Sequence, residues 1–375
     1  MKKAFVNCWI MPWWVLNVFL DLIESESFTQ AKVFTIFSDR DYLETTKWNI
    51  EIVTSLPRRL NKLFLKFSNK KGILWSVLDY RNLMFFYIPL MKNLSKKIIS
   101  YTPPKVVISS FAVAKNLDFC GSNYTGTFNP ITSLYLHSPM QYIRSHYDEY
   151  VQKIKWYKLK IFKYITPKLR KRDKSFTKFD NIVSNSNYTA KLAKDIYNID
   201  SKVSYPKVDT VFLDVVSNPN PNKYYLYVGR LVRFVKELDK IIHLFNETNQ
   251  PLLIMWSGPD EEYLKSISKW NIIFIWWIED PLEKMNIMKN AKWLVNITKE
   301  SFWLCTVESL LLWVPVFAYN NWASPELIDS DSWILSTDKQ HKILVKNFLE
   351  FIEKNRDRQK IQESIKSKLK NQKER

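Results

Sequence analysis

Apolar residues along the chain form short runs separated by polar turns. Strands are predicted for the runs at residues 4–10, 131–136, 224–228, 251–255 and 314–319. A helix is predicted after the first run, from apolar positions at helical spacing in residues 15–23, and another over residues 306–312. Strands and helices in this order are typical of an α/β protein.

Length and composition narrow the class of protein. With 375 residues, of which 46% are apolar, the chain can fill two cores, so a disordered basic tail is excluded. The one charge-free apolar stretch near membrane length, residues 4–20, is interrupted by Asn7, Pro12 and Asn17. The 3 Cys are scattered and form neither a disulfide framework nor a metal cluster. We therefore expect a soluble cytoplasmic protein.

Glycine is scarce and tryptophan is abundant, which does not suit an α/β chain. The sequence holds 5 Gly and 15 Trp, whereas glycine makes up about 7% of a typical globular protein. Tight turns depend on glycine, because it adopts left-handed backbone conformations without a steric penalty. The positions of the tryptophans are therefore informative.

Several tryptophans lie where predicted elements begin or end. Trp313 follows the predicted helix 306–312, at the position where chains usually turn left-handed and glycine is preferred. Trp322 follows Asn321, so a glycine there would complete an Asn-Gly turn. The other tryptophans at element ends are Trp13, Trp14, Trp256 and Trp303.

Two interpretations of these tryptophans remain open. In the first, many are UGA codons translated as Trp where the organism inserts glycine, and Trp277 is the residue most readily accepted as a genuine tryptophan. In the second, all are true aromatic residues in cores or on a binding face. The gene decides between them, since UGG codons at the element ends would exclude the first interpretation.

With glycine at those positions, the chain resembles the retaining glycosyltransferases of family 4 over nearly its whole length. The motifs in chain order are Trp13-Trp14 in place of a Gly-Gly loop, His137-Ser138-Pro139, Leu169-Arg170 with Asp173, Asn185-Ser186 after a strand, Tyr205-Pro206 with Val208-Asp209, Gly229-Arg230, and Glu300 with Glu308. Each motif alone is weak evidence, but their order and spacing make the resemblance strong. Lys236 departs from the family pattern by one residue in its distance from Arg230, which leaves Arg233 as an alternative, and the acid that follows the Gly-Gly pair is absent.

The resemblance implies the α/β GT-B architecture, in which two Rossmann-like domains face each other across a cleft. Residues 1–208 would form the N-terminal acceptor-binding domain and residues 209–347 the domain that binds a nucleotide-sugar donor. The last helices, residues 348–375, would pack back across the hinge. The implied reaction transfers a hexose, with mannose suggested by subgroup resemblance alone, to a glycan or lipid-linked acceptor in cell-surface polysaccharide synthesis.

The donor-binding residues are expected in the second domain. Arg230, after Gly229 at the end of a predicted strand, is placed to clamp a diphosphate, and Lys236 adds a second positive charge. The resemblance implies that Glu300 contacts the transferred sugar and that Glu308 accepts hydrogen bonds from ribose hydroxyls. Further donor-binding positions are Trp256, Gly258, Trp303, Leu304, Cys305 and Thr306.

A second set of residues is expected in the first domain. His137 follows the predicted strand 131–136, at the edge where doubly wound sheets bind ligands, and the resemblance makes it a contact to the donor sugar. Trp13 and Trp14 would form an acceptor and diphosphate loop. No Ser-His-Asp arrangement, HExxH motif or paired Cys occurs in the sequence. Neither a metal nor a cofactor is therefore expected, and the nucleotide sugar is a substrate.

The residues implied in catalysis are His137, Arg230, Lys236 and Glu300. The family mechanism is a front-face displacement, in which the leaving phosphate oxygen helps to deprotonate the acceptor hydroxyl and the configuration is retained.

Positive charge is concentrated in the first domain. Residues 1–208 carry a net charge of +18 and residues 209–375 a net charge of +1. The charge peaks over residues 153–178, where apolar residues recur at roughly helical intervals. This pattern predicts a helix on an anionic membrane surface, at the inner face of the cell membrane. The predicted membrane-facing lysines are Lys153, Lys155, Lys158, Lys160 and Lys163. A helix that packs its apolar stripe into its own domain is the alternative.

Two other function classes remain open. Interleaved basic and aromatic residues also occur in nucleic-acid-binding proteins, but that class does not account for the near-neutral second half or for Glu300 and Glu308. If the tryptophans are genuine, the chain is instead a degenerate, non-catalytic scaffold of the same fold.

Overall fold

A computed structural model of the chain describes residues 1–10, 14–67, 86–119, 128–154, 156–176, 178–213, 215, 224–276, 278, 280–329, 334–335, 340–353 and 357–373. The chain divides into two compact units. The first consists of Met1–Asn185 with Thr189–Val203, and the second of Ser186–Tyr188 with Ser204–Arg375. Residues 204–208, which the sequence-based boundary assigns to the first domain, thus belong to the second unit.

The first unit is built on a mainly parallel sheet. Its strands are β1 (Lys2–Ile10), β2 (Gln30–Ser38), β3 (Tyr42–Glu44), β4 (Asn49–Thr54), β5 (Lys105–Ser110), β6 (Ile131–Leu136), β7 (Asn181–Ser184) and β8 (Lys202–Val203). Its helices are α1 (Trp14–Glu24), α2 (Arg58–Phe67), α3 (Tyr87–Tyr101), α4 (Tyr147–Lys153), α5 (Trp156–Asp173) and α6 (Asn187–Tyr197), the last of which begins in the second unit. The strand order is β3-β4-β2-β1-β5-β6-β7-β8, and β3 pairs with β4 antiparallel. Nearly every residue of β1 and β5 is buried, as expected for parallel strands covered on both faces.

The second unit is built on a parallel sheet. Its strands are β9 (Tyr225–Val228), β10 (Leu252–Met255), β11 (Ile272–Ile275), β12 (Trp293–Asn296), β13 (Val316–Tyr319) and β14 (Ile334–Leu335). Its helices are α7 (Arg233–Lys236), α8 (Leu238–Thr248), α9 (Glu261–Ser266), α10 (Pro281–Lys289), α11 (Leu304–Leu311), α12 (Ser324–Leu327), α13 (His341–Ile352) and α14 (Arg358–Lys373). The strand order β11-β10-β9-β12-β13-β14 is the Rossmann order, which reverses direction between β9 and β12. All five predicted apolar strands are confirmed, with ends shifted by at most two residues.

The last two helices pack on the second unit. Phe348 of α13 is fully buried, and its ring centroid lies 5.1 to 5.2 Å from those of Tyr225, Phe245 and Phe317. In α14, the Gln362 side chain donates a hydrogen bond of 2.8 Å to the carbonyl oxygen of Leu311, at the end of α11. The C-terminal helices therefore help to complete the core of this unit.

Three tryptophans have backbone conformations that favour glycine. The φ angles are 151° at Trp256, 59° at Trp313 and 60° at Trp322, within the region that residues with a Cβ seldom adopt. Trp303 differs, because its φ is −110°. Trp14 is the first residue of α1. Trp13 and Trp277 lie outside the described residues.

The left-handed residue at Trp313 ends α11 as the sequence predicts. The N–H of Trp313 donates to the carbonyl oxygen of Leu310 at 3.2 Å, and the N–H of Val314 donates to that of Ser309 at 2.9 Å. These two bonds form the Schellman motif, which satisfies the last carbonyls of a helix and normally has glycine at its left-handed position.

Candidate functional site

Several predicted site residues of the second unit follow the carboxyl ends of β9 and β12. Gly229 and Arg230 follow β9, and Glu300 lies four residues after the end of β12. Because the strand order reverses between β9 and β12, this edge is where a doubly wound sheet opens a crevice for ligands. Leu304, Cys305 and Thr306 form the first turn of α11 at the same edge.

Lys236 and Glu300 form an ion pair in which both side chains are less than one-fifth exposed. Burial, together with the positive charge of Arg230, lowers the pKa of Lys236 to about 8. Arg233, the alternative to Lys236 in sequence, instead places its guanidinium 4.2 Å from the ring centroid of Tyr263. Lys236 is therefore the cation that shares a site with Glu300.

The Trp303 indole fills the space beside this ion pair. Its side chain is buried, and Lys236 Nζ lies 4.8 Å from its ring centroid. The ring also meets Tyr227 edge to face, with centroids 5.8 Å apart. A Cβ placed on Gly229 would lie 3.1 Å from Trp303 Cζ2. The indole thus occupies the volume in front of Gly229 and Lys236.

Glu308 lies one turn further along α11 and is paired with a lysine. Lys284 Nζ donates to both of its carboxylate oxygens, at 2.7 and 2.6 Å, and the Glu308 side chain is only 3% exposed. On the same helix, the hydroxyl of Thr306 accepts a hydrogen bond of 3.0 Å from the side chain of Asn296 at the end of β12. Burial raises the pKa of the Cys305 thiol to about 12, so this thiol stays neutral.

Gly258 allows two loops at this edge to approach each other closely. A Cβ at this position would lie 2.4 Å from the backbone oxygen of Leu231 and 2.6 Å from its nitrogen, so the backbone would have to move. The N–H of Leu231 donates a hydrogen bond to the carbonyl oxygen of Ser257 at 3.1 Å. The carbonyl oxygen of Leu231 accepts one from the N–H of Asp260 at 3.2 Å. Trp256, at the start of this loop, has the positive φ described above.

His137 lies at the carboxyl end of β6 in the first unit. It is 1% exposed, and its Nε2 lies 2.8 Å from the Ser109 hydroxyl at the end of β5. Burial lowers the pKa of His137 to about 3, so the imidazole is neutral at physiological pH. A neutral imidazole has one donor and one acceptor nitrogen, of which Nε2 is engaged by Ser109, and it supplies no positive charge.

The Leu-Arg-x-x-Asp motif serves a buried network in the first unit. The Asp173 carboxylate is fully buried and accepts hydrogen bonds from Lys115 Nζ at 2.6 Å, from Arg144 Nε at 3.1 Å and from the Tyr197 hydroxyl at 2.9 Å. Arg170 donates to the carbonyl oxygen of Ile143 at 2.7 Å. The motif therefore joins the end of α5 to neighbouring segments.

The basic segment runs from the end of α4 through α5. Helix α5 has both a buried apolar face and an exposed face with lysines. Lys158, Lys160 and Lys163 on α5 are exposed, whereas Lys153 ends α4 and Lys155 lies outside the described residues. The apolar residues divide between two faces of α5. Phe162 and Leu169 are buried, while Trp156, Ile161 and Tyr164 are 76%, 57% and 69% exposed. Within the described residues, no helix has the length and apolar character needed to cross a membrane.

The structure brings together part of the predicted site and adds residues that the sequence did not indicate. Arg230, Lys236, Glu300 and Trp303 cluster at one edge of the second sheet, and Glu308 lies on the helix that follows. Lys284, Asn296 and Ser109 belong to no recognised motif, and each finds its partner only through the fold. Among the described residues, no group of three or more His, Cys, Asp and Glu side chains is arranged to hold a metal ion.

Comparisons with known proteins establish the fold. No protein-family model matches the chain, and no curated protein sequence matches it significantly. The apo form of the lipopolysaccharide outer core galactosyltransferase WaaB is 16% identical with a TM-score of 0.63, covering 99% of this chain and 98% of that chain. HepE of Anabaena, solved with UDP and glucose, is 13% identical with a TM-score of 0.60, at 99% and 100% coverage. Sucrose-phosphate synthase of Thermosynechococcus elongatus is 13% identical with a TM-score of 0.67, at 100% and 94% coverage. The chain therefore has the α/β GT-B fold, as the sequence motifs predict.

Proposed function

We propose that the protein is a retaining glycosyltransferase that transfers a hexose from a nucleoside diphosphate sugar to a glycan or lipid-linked acceptor. The observation that carries the proposal is the cluster of Arg230, Lys236 and Glu300 at the point where the second sheet reverses its strand order. Two of the similar structures support the substrate class, since WaaB is named a galactosyltransferase and HepE was solved with UDP and glucose.

In the proposed donor site, different charged groups bind different parts of the nucleotide sugar. Arg230 and Lys236 neutralise the diphosphate, and the N–H groups in the first turn of α11 add the positive end of the helix dipole. Glu308 accepts hydrogen bonds from the ribose hydroxyls, and Glu300 contacts the transferred sugar. Because protein cations stabilise the leaving group in this arrangement, we expect the reaction to need neither a metal nor a cofactor.

The proposed chemistry is a front-face displacement. The bond between the sugar C1 and the diphosphate oxygen breaks, and the acceptor oxygen bonds to C1 on the same face. The acceptor proton passes to the departing diphosphate oxygen, so atoms and charge balance without an enzyme nucleophile. His137 is proposed to hold the donor sugar as a neutral hydrogen-bonding group, in keeping with its burial and low pKa.

We further propose that glycine stands at positions 256, 303, 313 and 322, and in the 13–14 loop, in the protein that the organism makes. Positive φ angles support this at Trp256, Trp313 and Trp322. At Trp303 the support is spatial, because its indole fills the volume in front of Lys236 that a diphosphate needs. The printed chain would then be inactive.

The test uses a restored chain, defined as the full sequence with glycine at 256, 303, 313 and 322. We expect it to bind UDP or GDP in isothermal titration calorimetry and to hydrolyse slowly at least one sugar of a panel containing UDP-glucose, UDP-galactose and GDP-mannose. Glu308→Ala in this background should abolish binding. Glu261→Ala is the matched control, since Glu261 pairs with Lys265 on the surface of the same unit.

Two outcomes would count against the proposal. Full turnover by the printed chain would show that the indoles do not block the site and would favour genuine tryptophans. Salt-sensitive retention of DNA without any nucleotide binding would instead favour the nucleic-acid class. UGG codons at positions 256, 303, 313 and 322 would exclude the glycine proposal directly.

The basic face of α5 is proposed to bring the enzyme to the inner face of the cell membrane. Its exposed lysines alternate with exposed Trp156, Ile161 and Tyr164. Cationic side chains beside interfacial aromatic and aliphatic residues are the combination that binds anionic lipid surfaces. Such a location suits an acceptor carried on a lipid.

A further inference from the structure

The carboxylate of Glu308 is held in place by a lysine that no sequence motif identifies. Lys284 lies in α10, and its Nζ donates to Oε1 at 2.7 Å and to Oε2 at 2.6 Å. The two side chains are 13% and 3% exposed. An ammonium that bridges both oxygens fixes the plane and the direction of the carboxylate, which a single contact would not do.

The pKa of Lys284 is raised although its side chain is largely buried. Burial alone would lower the pKa of Lys284, but its charge interaction and hydrogen bonds with Glu308, together with the charge of Asp209, outweigh burial and raise it. Cys305 lies on α11 with Glu308, and Asp209 caps the turn Thr210–Phe212 packed against α10. Without Lys284, the Glu308 carboxylate would lose both hydrogen bonds from the ammonium and would remain a buried charge without its cation, which is strongly unfavourable.

The bridging geometry leaves Glu308 able to bind two further donors. An ionised carboxylate offers about four acceptor positions, two on each oxygen. Lys284 takes one on each, and the Cys305 thiol, a weak donor, also hydrogen-bonds to this carboxylate. A ligand that displaces the thiol finds one position on each oxygen. Two neighbouring hydroxyl groups on the same side of a sugar ring match this pair, whereas a lone hydroxyl uses only half of it.

We propose that Lys284 is the positioning residue of a cis-diol site, holding Glu308 ionised and oriented toward the 2′- and 3′-hydroxyl groups of a ribose. The proposal rests on the proposed function, because it takes the ligand to be a nucleoside diphosphate. It adds a residue and a specificity to that function, since the site would discriminate ribose from deoxyribose.

The test compares Lys284→Met with Lys284→Arg in the restored chain, using UDP, 2′-deoxy-UDP and inorganic diphosphate as probes. We expect Lys284→Met to weaken UDP binding at neutral pH by about tenfold or more, through loss of a charge-assisted hydrogen-bond partner. Inorganic diphosphate should bind as before, because it does not reach Glu308. Lys284→Arg keeps the charge and should recover most of the affinity and the preference for UDP over 2′-deoxy-UDP.

A pH profile separates positioning from a structural role. Because the terminal phosphate of UDP itself loses a proton near pH 6, each variant is compared with the restored chain at the same pH. In Lys284→Met the deficit in UDP affinity should shrink as the pH rises from about 6 to about 8, because deprotonation of the unpaired Glu308 restores the acceptor. The double variant Lys284→Met/Glu308→Gln carries no buried carboxylate and should be weak at every pH. Lys265→Met is the matched control, since it removes an exposed lysine from a surface ion pair.

The outcomes are distinct. UDP affinity in Lys284→Met equal to that of the restored chain at each pH, or a deficit that does not change with pH, would overturn this inference while leaving the proposed function intact. Should Lys284→Met fail to fold, the double variant decides, because a retained preference for UDP over 2′-deoxy-UDP in it would also overturn the inference. A restored chain that binds diphosphate but neither UDP nor GDP, or no anion at all, would overturn both proposals.

Discussion

Lys236 and Trp303 show how one side chain alters the chemistry of its neighbour. The indole covers the lysine, with Nζ 4.8 Å from the ring centroid, and so removes water from an ammonium group. Desolvation disfavours the charged form, which is why burial heads the causes that lower the pKa of Lys236 to about 8. A lysine that binds a diphosphate needs an ammonium group that the ligand can reach, and the indole covers this one.

Replacement of Trp303 by glycine should therefore raise the pKa of Lys236. Removing the indole admits water, so the pKa should rise from about 8 toward the ordinary lysine value of 10.5. The measurement is an NMR titration of the lysine 13Cε signals in the printed chain and in Trp303→Gly, with Lys236→Arg to assign the signal. Trp313→Gly is the control and should leave the titration unchanged. A Lys236 pKa that stays near 8 in Trp303→Gly would show that Arg230, not the indole, controls it.

At the level of single residues, the sequence predicted which side chains lie at the donor site better than it predicted which side chains they contact. Glu300 and Lys236 were both expected at the donor site, but their ion pair joins residues 64 positions apart and required the fold. Lys284 was not predicted, because its spacing from Glu308 carries no local signal. Ser109 was missed for the same reason, since β5 and β6 become neighbours only in the sheet.

Helix α11 depends on the residues at its two ends. At its start, Trp303 adopts ordinary extended angles, so the backbone there accepts any residue. At its end, Trp313 is left-handed within a Schellman motif. The sequence predicted this second feature because a helix followed directly by a strand leaves room for a single turning residue.

Trp313→Gly should stabilise the second unit. A residue with a Cβ in the left-handed region costs about 1 to 3 kcal/mol, and the greater freedom of glycine in the unfolded chain offsets about 0.5 to 1 kcal/mol of that. We expect a net gain of about 1 kcal/mol in the free energy of unfolding, measured by urea denaturation. Trp313→Ala keeps the Cβ and should give no such gain. Equal gains for glycine and alanine would mean that loss of the indole, and not relief of the backbone, is responsible.

The five predicted strands and the helices predicted at residues 15–23 and 306–312 all form, with ends shifted by at most two residues. The burial of a strand was easier to predict than the face that a helix buries. The β9, β10 and β13 runs are short, continuous and apolar because parallel strands are buried on both faces, so their pattern survives without knowledge of the fold. The buried face of α5 was harder to predict, because the apolar residues of this helix divide between a buried face with Phe162 and an exposed face with Ile161. Periodicity alone does not assign such residues to one face.

At the scale of the whole molecule, the two sheets share the arrangement of strands around their first strand, although the first sheet has eight strands and the second six, and the two halves of the chain differ in charge. In both sheets, the order in which strands are added along the chain reverses beside the first strand, which is β1 in the first sheet and β9 in the second. The family resemblance carried by the chain motifs implied this repeated architecture. The fold does not fix the net charge of either half, and residues 1–208 carry nearly all of the net +19. A difference of this kind between two similar folds points to a partner for one of them.

Reversing the charge of the exposed α5 lysines tests whether that partner is an anionic membrane. We expect Lys158→Glu/Lys160→Glu/Lys163→Glu to weaken sedimentation with phosphatidylglycerol vesicles by about a hundredfold or more, since each basic residue near such a surface contributes about 1 kcal/mol. Binding to pure phosphatidylcholine vesicles should be weak for both proteins.

The matched control removes the same charge from exposed lysines of the second unit, as Lys342→Glu/Lys346→Glu/Lys366→Glu. If the α5 face is the docking surface, this control should retain most of the binding, because attraction to lipid falls off within about a Debye length of roughly 10 Å. Equal losses in the two triple variants would mean that vesicles sense the net charge of the chain alone. Binding by the α5 variant that persists at low salt would place the contact elsewhere.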